Sequence, residues 1–434
     1  MRTVRIETFG CKVNQYESEY MAEQLEKAGY TVLPAGEASY YIINSCVVTQ
    51  EVEKKVKRLV KSIRRKNRDA KIILTGCFAQ LFPEEAKKLP VNMVLGISEK
   101  KNIVDHLLSL NGEQKLVVSA PDSPVYEKVK GSFEDRTRAY IKVEDGCDNG
   151  CTYCAIRFAR GTKVRSKPLE LFKEEFEKMV IKGYKEIVIT GVNLGKYGKD
   201  IGTTLVDLLK IVEHVPGDYR VRLSSLNVED ITDELVEVFR DNPRLCPHLH
   251  ISVQSGSDRV LKRMGRRYSS SDFLKVVEKL RSINPDFSIT TDIIVGFPGE
   301  TDEDFLKTVK LLEEVEFSRV HIFRYSPRPG TPASTFSDAV PEHKKKERLN
   351  ILKEKAKEVS HRYKRRMVNK KRRVLAEWYI AKGVLSGYDE YYVKHEFVGD
   401  GIGVFHNVRV KSLSEEGVIS CRVDLAERAV HSRG

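Results

Sequence analysis

Residues 1–112 alternate short apolar runs with charged stretches in which apolar positions recur every three or four residues. Thr3–Phe9, Tyr40–Asn44 and Lys71–Thr75, rich in Ile, Val and Tyr, predict strands. Met21, Leu25 and Ala28, then Val52, Val56, Leu59 and Ile63, predict the intervening helices, and Gly29 stands where the first should end. This β-α-β order implies an open parallel sheet with right-handed crossovers. Residues 113–136 lose the periodicity and carry Pro-Asp-Ser-Pro and Lys-Gly-Ser, the chemistry of a linker. From Thr137 the alternation resumes, with strands expected near 138–144, 186–190, 219–224, 249–254, 287–296 and 318–325. Six such units predict a partial, open (β/α)6 barrel within 137–366, and a charged helical stretch from Pro341 to about Arg366 leads away from it. Residues 367–434 turn to short segments rich in Val, Tyr, Phe and Gly, which predict a small antiparallel β-barrel.

Composition narrows the class. The chain has 434 residues, 41% of them hydrophobic and 32% charged, enough for more than one packed core. No apolar run is long enough to span a bilayer, and Met1–Thr8 alternates like a strand instead of forming a signal peptide. We therefore expect a cytoplasmic protein with no membrane partner, whose thiols stay reduced. The net charge of +13 favours a polyanionic partner, since neutralising phosphates releases condensed counterions.

Eight cysteines focus the chemistry. Cys147, Cys151 and Cys154 place three thiolates on one loop directly after an expected strand. A structural zinc site would want a fourth close ligand, and a ferredoxin run would use a different spacing and continue to a fourth cysteine. Three ligands on a four-iron cluster leave one iron open to chelate a small molecule. The C-x-x-x-C-x-x-C spacing is that of the radical S-adenosylmethionine superfamily, with Tyr153 in its usual aromatic slot. That resemblance implies S-adenosylmethionine held at the strand ends, with Tyr153, Gly191, Asn193, Ser225, Gln254 and Asp292 among the contacts. Cys11, Cys46 and Cys77 each follow an expected strand of the first sheet. Carboxyl ends of parallel strands share one edge, so three strands deliver three thiols to one place. A second three-cysteine cluster is the economical reading, and Cys246 and Cys421 read as plain buried cysteines.

Both trios stand in longer motifs. Thr8–Ser18 (TFGCKVNQYES), Asn44–Cys46, Thr75–Cys77 and Glu144–Cys154 resemble the methylthiotransferase family, as do Gln254–Ser257, Val295–Glu300 and Tyr325–Pro332. The resemblance covers essentially the whole chain. It implies a cluster domain, a radical core and a terminal TRAM-type barrel, two 4Fe-4S clusters, and S-adenosylmethionine as both radical source and methyl donor. It also implies a sulfur source and an electron donor such as flavodoxin or ferredoxin. The Gly10–Ser18 and Phe158–Gly161 stretches resemble the group acting on threonylcarbamoyladenosine at position 37 in the tRNA anticodon stem-loop. Other groups act on isopentenyladenosine in tRNA or on a ribosomal-protein aspartate, and a non-catalytic iron–sulfur RNA-binding or sulfur-carrier protein is a further alternative. Arg157 departs from the family pattern, which commonly has proline there. For RNA phosphates, Lys262, Arg263, Arg266 and Arg267 are the expected contacts near the mouth of the barrel. The terminal aromatics Trp378, Tyr388, Tyr391, Tyr392, Phe397 and Phe405 are expected to divide between stacking faces and a barrel core, with at least half in the core.

Overall fold

The fold is described from a computed structural model for residues 2–47, 49–122, 124–131 and 137–423. Six strands form the first sheet: β1 (Thr3–Thr8), β2 (Thr31–Val32), β3 (Tyr40–Ser45), β4 (Lys71–Gly76), β5 (Met93–Leu95) and β6 (Lys115–Val117). All pair in parallel, in the order β2-β1-β3-β4-β5-β6. Chain order reverses between β1 and β3, so the helices after them leave on opposite faces and open a crevice at the strand ends. Helix α1 (Lys12–Lys27) follows β1, and α2 (Gln50–Lys66) follows β3 with the Thr49 side chain capping Val52 N.

The segment read as a linker is largely built into the structure. Lys115–Val117 pairs with β5, because its apolar residues complete the sheet edge. Val125 and Val129 are buried, and the backbone around them is pinned from both sides. Tyr16 Oη of α1 donates to Glu127 O (2.7 Å), Glu175 of the next domain accepts from Val129 N (2.8 Å), and Glu23 accepts from Lys130 N. Tyr16 itself sits in the apolar cluster of the second domain.

That domain contains β7 (Arg138–Lys142), the short antiparallel pair β8 (Glu144–Asp145) and β9 (Arg165–Ser166), then β10 (Glu186–Thr190) and β11 (Arg220–Leu223). It continues through β12 (Ser225–Leu226), β13 (His248–Ile251), β14 (Ser288–Val295) and β15 (Arg319–Arg324). The sheets β7-β10-β11 and β12-β13-β14-β15 are parallel throughout and bridged at Val221–Leu245. The edges β7 and β15 do not pair, so the expected partial barrel stands with an open side. The helix Glu342–Arg365 buries Leu352, Ala356, Val359 and Tyr363, one stripe at helical spacing, and leads to the last domain.

The terminal barrel is closed, in the order β16 (Lys371–Ala381), β17 (Val384–Tyr388), β18 (Lys394–Val398), β20 (Val418–Arg422), β19 (Phe405–Leu413). One pair departs from the expected antiparallel pattern: β18 and β20 run parallel, since β19 returns beside β16 before β20 closes the ring. Its aromatics also fall differently. Phe397 is in the barrel core, whereas Tyr392, Phe405 and Tyr388 lie under Arg222, Arg220 and Arg138 of the central domain at 4.7, 5.2 and 5.4 Å. Those arginines share the fully buried Glu186, through Arg220 Nε at 2.6 Å and Arg222 Nε at 2.9 Å. The barrel therefore docks on the amino ends of the central strands, away from the cysteine edge. Trp378 is 37% exposed.

Candidate active site

Two of the three strands that bear a cysteine in the first sheet, those leading to Cys11 and Cys77, end in a turn that a side chain would block. Gly10 has φ +105°, and a methyl on it would lie 2.8 Å from Cys46 Sγ. Gly76 has φ +93° and would meet Ser45 O at 2.3 Å. Both need glycine, for backbone conformation and for space. The neighbouring strands thereby bring Cys11, Cys46 and Cys77 to one edge, with Cys11 exposed and the other two buried. Burial pushes the Cys77 thiol up, and the Arg160 guanidinium pulls it part of the way back.

The second trio comes from one loop of the central domain. Cys147 follows β8, and Cys154 precedes the short helix Ile156–Arg160. Burial drives the Cys147 thiol up to about 12, with Cys154 and Cys151 adding repulsion. Burial also raises Cys154. Such thiols stay protonated until a metal displaces the proton. Ala155 and Ala159 pack with Val47 and Cys77 in one apolar cluster, so the segment that follows Cys154 lies against the residues at the ends of β3 and β4. None of the eight cysteines is in a disulfide. Among the described residues no three His, Cys, Asp or Glu side chains converge on a single metal ion. A cuboidal cluster spreads its thiolates more widely than one ion does.

Beside Cys154 lies a cavity of about 190 Å³. Tyr153, Cys154, Gln254 and Asp292 line one side, and Val47 and Thr49, beside Cys46, line another. Gln254 holds φ +69°, an uncommon value for a residue with a side chain, secured by Gln254 N donating to Asp292 O at 2.9 Å. Burial pushes the Asp292 carboxyl up, but the hydrogen bond and charge of His250, with the charges of His321 and Arg266, outweigh it and hold the group below its ordinary value. The Tyr325 hydroxyl, also on this wall, is buried without a hydrogen-bond partner. An orphaned hydroxyl, a carboxylate held ionised and a soft thiol around an apolar cavity suit a polar cofactor that carries both charge and sulfur.

Three of the expected cofactor contacts do not line this cavity. Gly191 packs on Glu144, where a methyl would meet Oε2 at 2.7 Å. Asn193 N donates to the same oxygen at 2.6 Å, and Ser225 is exposed on β12. The four expected phosphate contacts also divide. Lys262 and Arg267 are exposed. Arg266 instead turns inward, donating to Tyr153 Oη at 2.6 Å and to Asn227 Oδ1 at 2.9 Å. Arg263 is held by Asp338 at 2.7 Å. Two arginines in this row thus serve the loop of Tyr153 and its surroundings, because nearby acceptors compete with any phosphate. Sequence reasoning missed Arg328, which donates to Val47 O at 2.6 Å and pairs with Glu53. Its place in the Tyr325–Pro332 motif was the available signal.

An open parallel barrel with a three-cysteine loop at the carboxyl ends of its strands is the build of a radical S-adenosylmethionine enzyme. Residues 141–312 match the radical SAM superfamily, and residues 3–96 match uncharacterized protein family UPF0004. The chain is 77% identical, over the full length of both, to the threonylcarbamoyladenosine tRNA methylthiotransferase MtaB of Thermotoga maritima. It is 36% identical to the tRNA-2-methylthio-N(6)-dimethylallyladenosine synthase of Dictyoglomus thermophilum, covering 96% of this chain and 98% of that one. The chain belongs to the radical SAM tRNA methylthiotransferase family. Among solved structures, the radical S-adenosylmethionine methyltransferase TsrM of Kitasatospora setae shares the fold, with a TM-score of 0.58 and 14% identity over 77% of this chain and 75% of that one. No helix among the described residues is long and apolar enough to cross a membrane.

Proposed function

We propose that the enzyme transfers a methylthio group to C2 of N6-threonylcarbamoyladenosine at position 37 of tRNA, using two 4Fe-4S clusters. Cys147, Cys151 and Cys154 hold one cluster, and Cys11, Cys46 and Cys77 hold the other. The carrying observation is the cavity that has Cys154 on one side and the residues flanking Cys46 on another. The choice of nucleoside follows the 77% identical relative. When bound, the core cluster and S-adenosylmethionine supply a 5′-deoxyadenosyl radical, the other cluster supplies the sulfur, and a second S-adenosylmethionine supplies the methyl group.

The chain's own residues position and exclude. Asp292, kept ionised, accepts a hydrogen bond from a polar cofactor, and the Tyr325 hydroxyl contributes one more. Tyr153, fixed by Arg266, stands against Phe297 and closes the wall beside Cys154. Arg328 ties Val47 to the central domain and so holds the Cys46 turn against the cavity. The exposed Lys262 and Arg267 meet phosphates of the anticodon stem-loop, whose unpaired adenosine leaves its stack at little cost. An electron donor such as flavodoxin or ferredoxin and a sulfur source complete the turnover.

The test is anaerobic turnover of reconstituted enzyme with a stem-loop carrying threonylcarbamoyladenosine, read by nucleoside mass spectrometry. The 2-methylthio derivative is expected. Thiolation of an isopentenyladenosine stem-loop instead would transfer the assignment to that group. 5′-Deoxyadenosine without any thiolated nucleoside would overturn it.

A further inference from the structure

Two motifs that mark the chain's group, Gly10–Ser18 and Phe158–Gly161, meet in the structure through one guanidinium. Arg160, 1% exposed, donates through Nη2 to Asn14 Oδ1 at 2.6 Å and to Glu17 Oε2 at 3.0 Å. Its Nη1 reaches Glu17 Oε1 at 2.7 Å and Asp145 Oδ2 at 3.0 Å. Asn14, fully buried, passes the contact on: its Nδ2 donates to Phe9 O at 2.8 Å and to Ser45 O at 3.0 Å. A donor on one side of this amide and carbonyl oxygens on the other leave it a single orientation.

The ends of this chain of bonds are informative. Phe9 lies two residues before Cys11, Ser45 immediately before Cys46, and Asp145 two before Cys147. Another contact already joins the two domains, from Tyr16 to Glu175, and Glu23 holds the strap through Lys130 N. Arg328 also reaches the backbone beside Cys46, at Val47 O, but the Arg160 path runs to the turns before Cys11 and Cys46 and to Asp145 before Cys147 at once. Four bonds from a planar fork set direction as well as distance, which a single ammonium cannot do. Lys100 and Lys142 also reach Glu17, at 2.5 and 3.2 Å, so its carboxylate is held firmly whichever way the domains are pulled.

We propose that Arg160 and Asn14 are positioning residues that keep the edge carrying Cys11 and Cys46 aligned with the loop carrying Cys147. The relay rests on the two-cluster reading above. It governs how efficiently a radical made at one trio leads to sulfur transfer at the other. Asn14→Asp keeps an acceptor for Arg160 and removes both donors to Phe9 and Ser45. Arg160→Lys keeps the charge and loses the fork.

Reconstituted full-length variants, checked for two clusters by iron content, are compared with wild type on two readouts. One is the ratio of methylthiolated nucleoside to 5′-deoxyadenosine. The other is the magnetic dipolar coupling between the two reduced clusters by pulsed electron paramagnetic resonance. Asn14→Asp is expected to lower the ratio by roughly a hundredfold, the scale of a misplacement of about 1 Å, and to change the coupling. Arg160→Lys is expected to lower the ratio as well, and a loaded Arg160→Lys protein with wild-type ratio and coupling overturns the role of the fork. Should Arg160→Lys fail to fold, Asn14→Asp decides alone. A loaded Asn14→Asp protein with wild-type ratio and coupling overturns the relay. Wild type that makes 5′-deoxyadenosine but no thiolated product overturns the two-cluster reading instead.

Discussion

One cysteine trio comes from eight consecutive residues, Cys147–Cys154, and the other from three strands spread over Cys11–Cys77. The first is a property of a loop, so its geometry is written in local spacing. The second exists only once β1, β3 and β4 have paired and the glycine turns at Gly10 and Gly76 have closed. A local site survives small shifts of the surrounding fold, whereas an assembled site registers every one of them. That difference fits the division of labour proposed here, in which the loop generates the radical and the assembled edge delivers sulfur.

The comparison is tested most severely by removing one thiol from each side. Cys151→Ala is expected to abolish 5′-deoxyadenosine formation and thiolation together. Cys46→Ala is expected to abolish thiolation while leaving 5′-deoxyadenosine formation largely in place, and thiolation surviving in Cys46→Ala would remove the second trio from the mechanism. Next comes the backbone. Gly76→Ala puts a side chain at φ +93° and into Ser45 O, at a cost of about 3 kcal/mol or more, so the first sheet should lose its cluster before the loop does. Iron content falling by half, with 5′-deoxyadenosine formation kept, is the expected signature. Asp292→Asn has a smaller effect, since it removes only charge from a hydrogen bond worth about 1.5–3 kcal/mol. S-adenosylmethionine affinity by equilibrium dialysis should weaken by roughly tenfold or more, with assembly of the Cys11 edge unchanged.

The smallest effect is on pH. His248 is buried, and burial, then the charges of Arg222, His250 and Lys12, hold its imidazole well below the ordinary 6.5. The folded state keeps it neutral while the unfolded chain binds a proton below that value. Its contribution to stability is therefore complete above about pH 6.5 and lost as pH falls, by up to about 1.4 kcal/mol per unit. A melting temperature that rises on acidification from pH 6.5 would contradict this burial.

The order of the sheet, the partial barrel and the terminal barrel was legible because each leaves a local trace in its hydrophobic period, and the cysteines stood out by their spacing or by a turn after a strand. What stayed hidden depends on partners far apart in sequence. Arg160 and Asn14 are 146 positions apart, and Arg328 reaches Val47 across 281. A charge run shows that cations are present and not which carboxylates will neutralise them. Hence Arg266 read as a phosphate contact, although it is committed to Tyr153 and Asn227. The terminal aromatics misled for a related reason. The rings of Tyr388, Tyr392 and Phe405 meet arginines that rise from another domain around Glu186.

The buried strap between Val125 and Val129 has a consequence for how the molecule comes apart. Tyr16 belongs by sequence to the first domain and by packing to the second, and the strap is hydrogen-bonded to both. Heat or denaturant should therefore meet one melting unit from β1 to the helix Glu342–Arg365, not two bodies on a tether. Cutting the chain at the strap should yield halves that remain associated under native conditions. Neither half alone should show the sharp transition of an autonomous domain, because each would expose the apolar face that Tyr16 now closes.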